Sequence, residues 1–532
     1  MDTSRAARRA AHRAEERRKR SESPLLKLPF RQLRNRRPPL ELISPEQVEQ
    51  LHAASMRILE EVGLDFLDAE ALDLWEQAGA KVDRAAHHVW LDRGLVMEAV
   101  AKAPPSFTWR ARNPERNVFV GENAITFGPN GGMAYATDLD KGRRPGTMED
   151  FENFLRLSQM CNVLHFACWE QVTPQDVPVS IRHLRRLASA IALTDKALME
   201  AAHGSIISAD NVALAQIAFG DDPSTSFGSA QDGRSGRSLA DGPIIGDVIN
   251  VNSPLRYDAR MLGGLITYAR AGQVCFITPF ILAGVMSPIS IAAALAQQNA
   301  EALAGVALTQ IVNPGAPVIY GGFTTNVDMK SGSPAFGTPE GAWALLVGAQ
   351  LARHYRLPYR GSGSLTTSKV PDAQAAYETQ WTIWPCVLAH TNLIMHAVGW
   401  LEGGLTASYE KFIIDAESLA MFYHFLDGFT IDDETLALDM IAEVGPGGHH
   451  FGTPHTQARY STEFYQSFLS DRLGYETWLA GGGLDAAQRA YAIWNDLLAQ
   501  YEPPPLDPGI KEALDDYVAR RERELEGKNL YE

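Results

Sequence analysis

The stretch Gln273–Ile311, QVCFITPFILAGVMSPISIAAALAQQNAEALAGVALTQI, decides the fold. Its apolar run Val274–Ile277 is typical of a buried strand. The dipeptide Ser287-Pro288 is typical of a helix start, with Ser as the cap and Pro in the first helical turn. The stretch therefore predicts a buried strand, a loop and a helix that begins at Pro288.

Residues 273–300 contain no charged side chain and are long enough to span a bilayer. Three residues break the run, Pro279, Gly284 and Pro288, and a membrane span with such breaks needs protein partners for its freed backbone groups. We therefore predict a buried strand–loop–helix unit rather than a membrane segment.

The same unit recurs along the chain. Eight strand candidates are followed by Gly-, Asn- or Pro-rich loops: Ile125–Phe127, Leu164–Trp169, Leu198–Ala202, Val248–Val251, Val274–Ile277, Val318–Tyr320, Leu357–Tyr359 and Asn392–Val398. Helical patterns between them include Thr147–Met160, Pro178–Ala192, Arg256–Ala271, Ser290–Ile311, Thr338–Tyr355 and Ala373–Ala389. Such alternation predicts an α/β fold, a (β/α)₈ TIM barrel with an N-terminal helical segment and C-terminal helices. A doubly wound open sheet is the competitor, although no GxGxxG follows the first strand.

Charge divides the chain into unequal parts. Residues 1–37 hold 13 Lys/Arg and four acidic residues, net +9, and the rest of the chain is net −25. We predict a disordered basic arm (1–37), a mixed N-terminal segment (38–122) that opens with a Ser44-capped helix, a barrel core (123–410) and a C-terminal helical extension (411–532). The acidic body argues against nucleic acid as its main partner.

Two further patterns bear on location. The four cysteines have no CxxC spacing, and the basic N-terminus lacks the apolar stretch of a signal peptide, so we expect a reducing cytoplasm. The polar, low-complexity stretch 220–242 precedes the fourth strand, which predicts a surface insertion at the amino-end face of the barrel.

Barrel active sites lie where strands end, so residues at those ends are the candidates. They include polar residues and a recurring set of aromatic side chains: Asn130, Trp169, Glu170, His203, Asn250, Asn252, Phe280, Tyr320, Phe323, Ser362, Ser364, His396, Trp400 and Glu402. Converging aromatic faces suit a quaternary ammonium, which has no N–H to donate. Packing of the barrel explains any single aromatic residue as well.

Alternative chemistries have weaker signals. His449, His450 and His455 lie close together, but no HExxH or cysteine joins them, which favours a rigid hydrogen-bonded loop over a zinc site. Glu170, His203 and Glu402 are candidates for acid–base groups or for ordinary hydrogen-bonded residues. The sequence contains no Gly-x-Ser-x-Gly and no Walker A loop.

Several motifs taken together resemble one known family. They are Ile43–Gly63, Phe127-Gly-Pro-Asn130, Asn250–Leu255, Gly321-Gly-Phe323 with Asp328-Met329, Gly361–Gln374, Val444–His449 and Thr453-Pro-His455. From about Leu40 to Leu498 the chain resembles the trimethylamine methyltransferase superfamily, and within it the non-pyrrolysine members that act on glycine betaine. The basic arm and residues 220–242 depart from that pattern.

The resemblance implies a cytoplasmic methyltransferase of methylamine metabolism, as in methanogens, that moves a methyl group to cobalt(I) of a corrinoid. Because the chain lacks Asp-x-His-x-x-Gly, a partner protein would carry the corrinoid, and we expect no metal bound by this chain. The founding members of the family use pyrrolysine to activate trimethylamine, whereas the matching stretch here, around Leu365–Lys369, contains only standard residues. A quaternary ammonium needs no such activation, because it leaves as a neutral amine and requires mainly in-line positioning.

Glycine betaine is therefore the expected substrate, and we expect a homo-oligomer. Four aromatic residues would hold the trimethylammonium: Trp169, Phe280, Phe323 and Trp400. His203, Arg256 or Lys369 would pair with the carboxylate, and Asn250, Asn252 and His396 would complete the lining, with Glu170 and Glu402 as catalytic candidates.

Other readings stay open at this point. The substrate could instead be proline betaine, carnitine or γ-butyrobetaine, since one sequence does not fix the size of a cavity. The barrel could be a lyase that uses Glu170, His203 and Glu402, or a non-catalytic betaine-binding protein.

Overall fold

The computed structural model describes residues 24–168, 170–221, 239 and 241–530. Eight parallel strands form its main sheet: β1 Ala124–Phe127, β2 Phe166–Cys168, β3 Ala197–Met199, β4 Ile245–Val251, β5 Val274–Ala283, β6 Val318–Gly321, β7 Tyr359–Ser362 and β8 Leu393–Met395. A helix follows each strand: α1 Met148–Met160, α2 Val179–Leu193, α3 Ser205–Ala218, α4 Ala259–Arg270, α5 Ile291–Val312, α6 Pro339–His354, α7 Ala373–Leu388 and α8 Tyr409–Asp427.

Hydrogen-bonded pairing connects the strands in the order β2-β3-β4-β5-β6-β7-β8-β1, every pair parallel. The predicted α/β class is confirmed. Between the two end strands a single backbone hydrogen bond runs from the amide of His165 to the carbonyl oxygen of Phe127, at 2.8 Å. Closure of the sheet into a barrel stays a prediction.

Each of the eight predicted strands overlaps an observed one, but two bounds differ in ways that matter. Strand β5 continues to Ala283 because its second half pairs with the strand Phe323–Val327. Helix α5 begins at Ile291 rather than at Pro288, because the side chain of Ser290 accepts the cap hydrogen bond from the amide of Ala293 (3.4 Å). Among the described helices, none combines the length and the apolar character that crossing a bilayer requires.

The amino end of the sheet is filled by a buried apolar cluster. Its members include Trp109, Phe166, Met199, Val248, Phe276, Ile319, Leu393 and Met395. Trp109 comes from a hairpin, Ser106–Trp109 with Val118–Gly121, which is anchored by a hydrogen bond from Arg110 to Pro243 just before β4. The hairpin thus covers the sheet at the amino end of β4, and the carboxyl ends of the strands lie away from it.

Smaller elements flank the sheet. Before it lie the helices Pro45–Arg57, Ala69–Gln77 and Arg93–Val100, the π turn Ile58–Val62, and the strands Leu64–Phe66, Lys81–Asp83 and His88–Trp90. The helix cap predicted at Ser44 is confirmed, and Ser44 forms a capping box with Gln47. After the sheet come the helices Asp433–Leu436, Leu438–Val444, Pro454–Arg459, Tyr475–Ala480, Ala486–Gln500 and Pro508–Leu525.

The structure corrects the prediction of a disordered basic arm for residues 24–37. A short helix, Pro24–Lys27, is followed by Leu33–Arg34, which pairs antiparallel with the start of β1. Leu25 and Leu33 are buried, and Arg31 forms an ion pair with Asp427. Leu25 and Leu33 supply the buried apolar contacts of this segment. The dense positive charge around them led the sequence analysis to predict disorder instead. Residues 1–23, and 222–238 of the predicted surface insertion, lie outside the described part.

His165 stands where β1, β2 and the N-terminal segment meet. Its Nδ1 accepts a hydrogen bond from the amide of Phe127 (2.9 Å), and its Nε2 lies 3.0 Å from the carbonyl oxygen of Arg31 and 2.9 Å from the hydroxyl of Tyr423. Burial lowers the pKa of His165 to about 4 from its ordinary 6.5. The imidazole is therefore neutral near pH 7.

This shift predicts acid sensitivity. Because the folded pKa lies below the unfolded one, the neutral ring contributes stability above pH 6.5, and that contribution is lost as the pH falls towards 4, by up to about 3 kcal/mol. His165→Gln keeps an acceptor for Phe127 but does not titrate. Urea titrations across this range should show a shallower loss of unfolding free energy in the variant, and equal slopes would contradict the assignment.

Candidate active site

A buried arginine without an acidic partner stands at the carboxyl end of the sheet. Arg360 lies on β7, and its Nε and Nη2 are both 3.3 Å from the sulfur of Met395, which belongs to the buried apolar cluster described above. Its side chain is 2% exposed. Within the described part of the chain no carboxylate pairs with it. Burial lowers the pKa of Arg360 to about 10, which still leaves the guanidinium charged at neutral pH.

Aromatic rings from β5 and from the segments that follow β6 and β8 gather beside this guanidinium. We call Phe280, Phe323, Phe336, His396 and Trp400 the aromatic cluster. Ring centroids of Phe323 lie 5.2 Å from Phe280, 5.6 Å from Phe336, 5.5 Å from His396 and 6.2 Å from Trp400. The guanidinium carbon of Arg360 is 5.3 Å from the centroid of Phe323. A cation and a set of π-faces therefore share one small region.

His396 is the polar member of the aromatic cluster. Its backbone holds a left-handed φ of 58°, which costs energy in a non-glycine residue and is common where a side chain must be aimed. Its Nδ1 lies 3.0 Å from the hydroxyl of Ser362, and its amide donates to the carbonyl oxygen of Pro129. Burial first, and the nearby Arg360 second, lower its pKa well below the ordinary value. The ring is therefore neutral near pH 7.

A buried ion pair, Lys411–Asp415, fixes the backbone next to Trp400. Gly399 donates its amide hydrogen bond to Asp415 Oδ2 (2.8 Å), and both oxygens of Asp415 contact the ammonium of Lys411 at 2.6 and 2.7 Å. Asn130 contacts the carbonyl oxygen of Gly399 at 3.4 Å. Among the described residues, the indole nitrogen of Trp400 and the Oδ1 of Asn130 have no hydrogen-bond partner. These two buried polar atoms are available to a ligand.

Glu170 is committed to a buried ion-pair network. Arg186 bridges Glu170 and Glu200. Burial opposes ionisation of Glu170, but Arg186 and then His203 outweigh it and lower its pKa. Burial raises the pKa of Glu200 to about 7. Glu170 is therefore an ionised carboxylate with a fixed partner, which is a poor proton donor.

Glu402 is similarly committed. Its Oε2 accepts from Nε of Arg143 at 2.7 Å and from the hydroxyl of Thr406 at 2.6 Å. Burial opposes ionisation, yet these hydrogen bonds lower its pKa. Lys369 is exposed nearby and donates to the carbonyl oxygen of Thr367 at 2.9 Å. The hydrogen bonds of both side chains go to residues outside the aromatic cluster.

The remaining residues that the sequence suggested for the site lie at different places in the structure. Asn250 follows Val248 on the same face of β4, so it points into the open carboxyl end, where it is exposed. Asn252 accepts from the amide of Asp258, and Arg256 is paired with Asp65 at 3.0 Å, away from the aromatic cluster. His203 lies beside Glu170 and Arg186. Trp169 lies outside the described residues.

Two residues of this region were missed. Arg360 directly follows the predicted strand Leu357–Tyr359, and the only available signal was a basic residue at a strand end. No local signal in the sequence pointed to Phe336. It follows the short strand Pro334–Ala335, which is brought to this region by pairing with the strand Phe323–Val327.

The histidines of the C-terminal loop do not gather into a metal centre. His449 and His450 are exposed, and no group of three or more His, Cys, Asp or Glu in the described ranges could hold a metal ion.

Comparison with known proteins identifies the family. The model of the trimethylamine methyltransferases (MTTB) matches residues 5–526. The chain belongs to the trimethylamine methyltransferase family. It is a methyltransferase, which confirms the resemblance predicted from the motifs. The predicted start of the match near Leu40 was wrong, because the family model begins within the basic arm.

Two relatives show how far the likeness of this trimethylamine methyltransferase family member extends. A glycine betaine methyltransferase of Desulfitobacterium hafniense (strain Y51) is 40% identical over 489 residues, 92% of this chain and 98% of the relative. The trimethylamine methyltransferase MttB of Desulfitobacterium hafniense (strain DSM 10664 / DCB-2) is 31% identical, covering 90% of this chain and 94% of the relative.

The fold has a solved counterpart. The Methanosarcina barkeri monomethylamine methyltransferase superposes with a TM-score of 0.51 over 92% of this chain and 90% of its own, at 8% identity. At that identity the likeness concerns the α/β fold alone.

Proposed function

We propose that this methyltransferase moves a methyl group from glycine betaine to cobalt(I) of a corrinoid that a partner protein delivers. One observation carries the proposal: a buried, charged Arg360 without a carboxylate partner lies directly beside the aromatic cluster. The 40% identical relative is named a glycine betaine methyltransferase, which supports the same substrate here.

Glycine betaine matches both halves of this arrangement. Its carboxylate fits the planar donors of Arg360. Its trimethylammonium has no N–H and fits the faces of Phe323 and Trp400. The guanidinium carbon lies only 5.3 Å from the centre of the Phe323 ring, so the spacing favours a single carbon between the two charges. Carnitine and γ-butyrobetaine, with longer spacers, fit this spacing less well.

The charges in the site suit a leaving group that needs no protonation. As the methyl carbon bonds to cobalt(I), which supplies the electron pair, the C–N bond breaks and its electrons stay on nitrogen, which leaves dimethylglycine with a neutral amine beside its carboxylate. Glu170 and Glu402 are ionised and paired, so neither serves as the acid that trimethylamine or a lyase reaction would require. The positive charge of Arg360 also favours the step, because the substrate nitrogen loses its own positive charge in the transition state.

Access to the site accords with a delivered acceptor. We propose that the eight strands close into a barrel at the His165–Phe127 hydrogen bond, with the amino end plugged by Trp109 and the carboxyl end open at Asn250. The corrinoid is thus a second substrate that enters at the open end. A cytoplasmic setting fits this chemistry, since cobalt(I) requires a reducing environment.

A substrate panel with free cob(I)alamin tests the proposal, with methyl–cobalt formation followed by absorbance. We expect glycine betaine to react fastest, proline betaine more slowly, carnitine and γ-butyrobetaine at least about tenfold more slowly, and trimethylamine not at all. Failure of every quaternary amine, or a preference for trimethylamine, would overturn the proposal.

Lys369→Ala distinguishes the two basic side chains considered for the carboxylate. Because Lys369 is exposed and donates its hydrogen bond to the carbonyl oxygen of Thr367, its loss should leave the KM for glycine betaine within about twofold of the original value. A tenfold rise in KM in the steady-state assay would return Lys369 to the binding site.

A further inference from the structure

One nitrogen of the His396 imidazole has no partner within the described residues. Its Nδ1 lies 3.0 Å from the hydroxyl of Ser362, whereas Nε2 makes no hydrogen bond to any residue that the structure describes. The residue is buried, with 4% of its surface exposed. A polar atom of a buried residue that lacks a protein partner is a candidate for contact with a ligand.

The backbone holds the ring of His396 in one direction. The pairing of β7 with β8 brings Ser362 beside His396. The amide of His396 donates to the carbonyl oxygen of Pro129 at 3.1 Å, and the amide of Ala397 donates to that of Gly128 at 2.9 Å. These two hydrogen bonds maintain the left-handed φ of 58° against its cost in energy. The side chain is therefore aimed by its backbone as well as by Ser362.

The Ser362 hydroxyl decides which nitrogen of His396 carries the proton. A hydroxyl has one proton to donate, and a buried hydroxyl that does not donate it loses a hydrogen bond. Within the described part of the chain, Nδ1 of His396 is the one hydrogen-bond partner of this hydroxyl. The hydroxyl therefore donates to Nδ1. Because burial lowers the pKa of His396 and keeps the ring neutral, its single proton lies on Nε2.

This Nε2 proton makes His396 a donor inside the aromatic cluster. The imidazole stacks on Phe323, with ring centroids 5.5 Å apart and ring planes inclined by 28°. Because an N–H bond lies in the plane of its own ring, the donor runs along Phe323 rather than into its π-face. Arg360 adjoins the same phenyl ring, with its guanidinium carbon 5.3 Å from the centroid. One charged donor and one neutral donor therefore lie beside Phe323.

On the basis of the function proposed above, we propose that His396 is a specificity-determining residue that donates a hydrogen bond from Nε2 to the carboxylate of glycine betaine. Ser362 is the positioning residue that keeps the proton on that nitrogen. The trimethylammonium has no acceptor atom, so the carboxylate is the part of the substrate that this donor binds. A neutral donor adds a hydrogen bond without placing a second cation beside the positive nitrogen of the substrate.

Calorimetric titration of glycine betaine into the full chain, without corrinoid, tests the donor. His396→Asn should raise Kd about 10- to 100-fold, because asparagine tolerates the left-handed φ but its amide does not reach the position of Nε2. His396→Gln is the matched control: its amide nitrogen reaches about as far as Nε2, and it should bind within about fivefold of the wild type. Ser362→Ala leaves the backbone of His396 in place and should raise Kd about three- to tenfold, because the proton can then move to Nδ1.

Nitrogen NMR spectroscopy of histidine-labelled protein measures the position of the proton directly. The signal of His396, identified by its absence from His396→Gln, should show the proton on Nε2 in the wild type and a mixture of tautomers in Ser362→Ala. In the cob(I)alamin assay, His396→Asn should raise KM and leave kcat within about threefold, since the carboxylate is bound equally before and during methyl transfer. A role in packing alone would lower kcat as well.

Unchanged binding of glycine betaine by His396→Asn, or a wild-type signal with the proton on Nδ1, would overturn the proposal. A loss that His396→Gln does not recover would also contradict it, because the ring would then act through packing. If His396→Asn does not fold, the Kd of Ser362→Ala decides, and an unchanged value counts against the proposal. A wild type that binds no glycine betaine would overturn the proposed substrate together with this role, whereas normal binding by all three variants would leave the substrate standing and remove only His396.

Discussion

Arg360→Met should lower kcat/KM for glycine betaine by about 100- to 1,000-fold, because truncating one member of a buried charge pair leaves the substrate carboxylate desolvated and unpaired. Methionine keeps the length and flexibility of the side chain but removes its charge. The loss should fall on substrates with a carboxylate. Choline, which carries the same trimethylammonium without one, should lose its disadvantage relative to glycine betaine.

The same substitution should stabilise the folded protein. Without substrate, Arg360 is a buried cation whose nearest polar contacts are a thioether and, at 3.5 Å, the carbonyl oxygen of Gly322. Replacing such a group with a well-packed apolar side chain typically gains about 1–3 kcal/mol. Activity and stability should therefore change in opposite directions, as expected where a site holds a charge for its ligand.

Steady-state kinetics with cob(I)alamin and urea unfolding measure the two effects. Arg360→Lys is the matched control: it keeps the charge, loses the planar pair of donors, and should fall between the wild type and Arg360→Met in activity. A destabilised Arg360→Met with an unchanged KM would show that Arg360 is a structural residue.

Sequence patterns predicted the strands well because a buried strand is recognisable as an apolar run. The same rule explains why the bounds of β7 were predicted wrongly. Leu357–Tyr359 is the apolar run, but the strand that pairs is Tyr359–Ser362, whose polar residues reveal nothing of their burial. A buried charge is invisible to periodicity, so the residue on which the proposed site depends was missed.

The cations predicted to pair with the carboxylate, His203, Arg256 and Lys369, differ from Arg360, the cation that lies beside the aromatic cluster. Arg256 was a sound candidate at a strand end, yet it pairs with Asp65, which comes from the N-terminal segment. Which cation is neutralised depends on contacts between residues distant in the chain, and no local pattern records them. Phe280, Phe323 and Trp400, chosen because they lie near predicted strand ends, come together in the aromatic cluster.

The other large expected effect concerns the ion pair behind Trp400. Asp415→Ala should lower the free energy of unfolding by about 3–5 kcal/mol, because it leaves the ammonium of Lys411 buried without a counter-charge. Lys411 is 1% exposed, and within the described residues its other hydrogen bonds go to Thr379 and, at 3.4 Å, to the carbonyl oxygen of Ser364. Chemical denaturation of the two proteins measures the difference.

Asp415→Ala should also slow methyl transfer, by about tenfold, because Gly399 loses the acceptor that fixes the backbone just before Trp400. Gly399 holds a left-handed φ of 80°. Because glycine also adopts many other backbone conformations, hydrogen bonds are needed to fix this turn.

The double variant Lys411→Met/Asp415→Leu separates the two effects. It removes both charges, so most of the stability should return, since a buried ion pair replaced by apolar side chains of similar size is often neutral. The amide of Gly399 still lacks its acceptor, so catalysis should stay impaired. Full recovery of both stability and turnover would show that Asp415 only neutralises Lys411, whereas recovery of stability alone assigns the positioning of Trp400 to the hydrogen bond from Gly399.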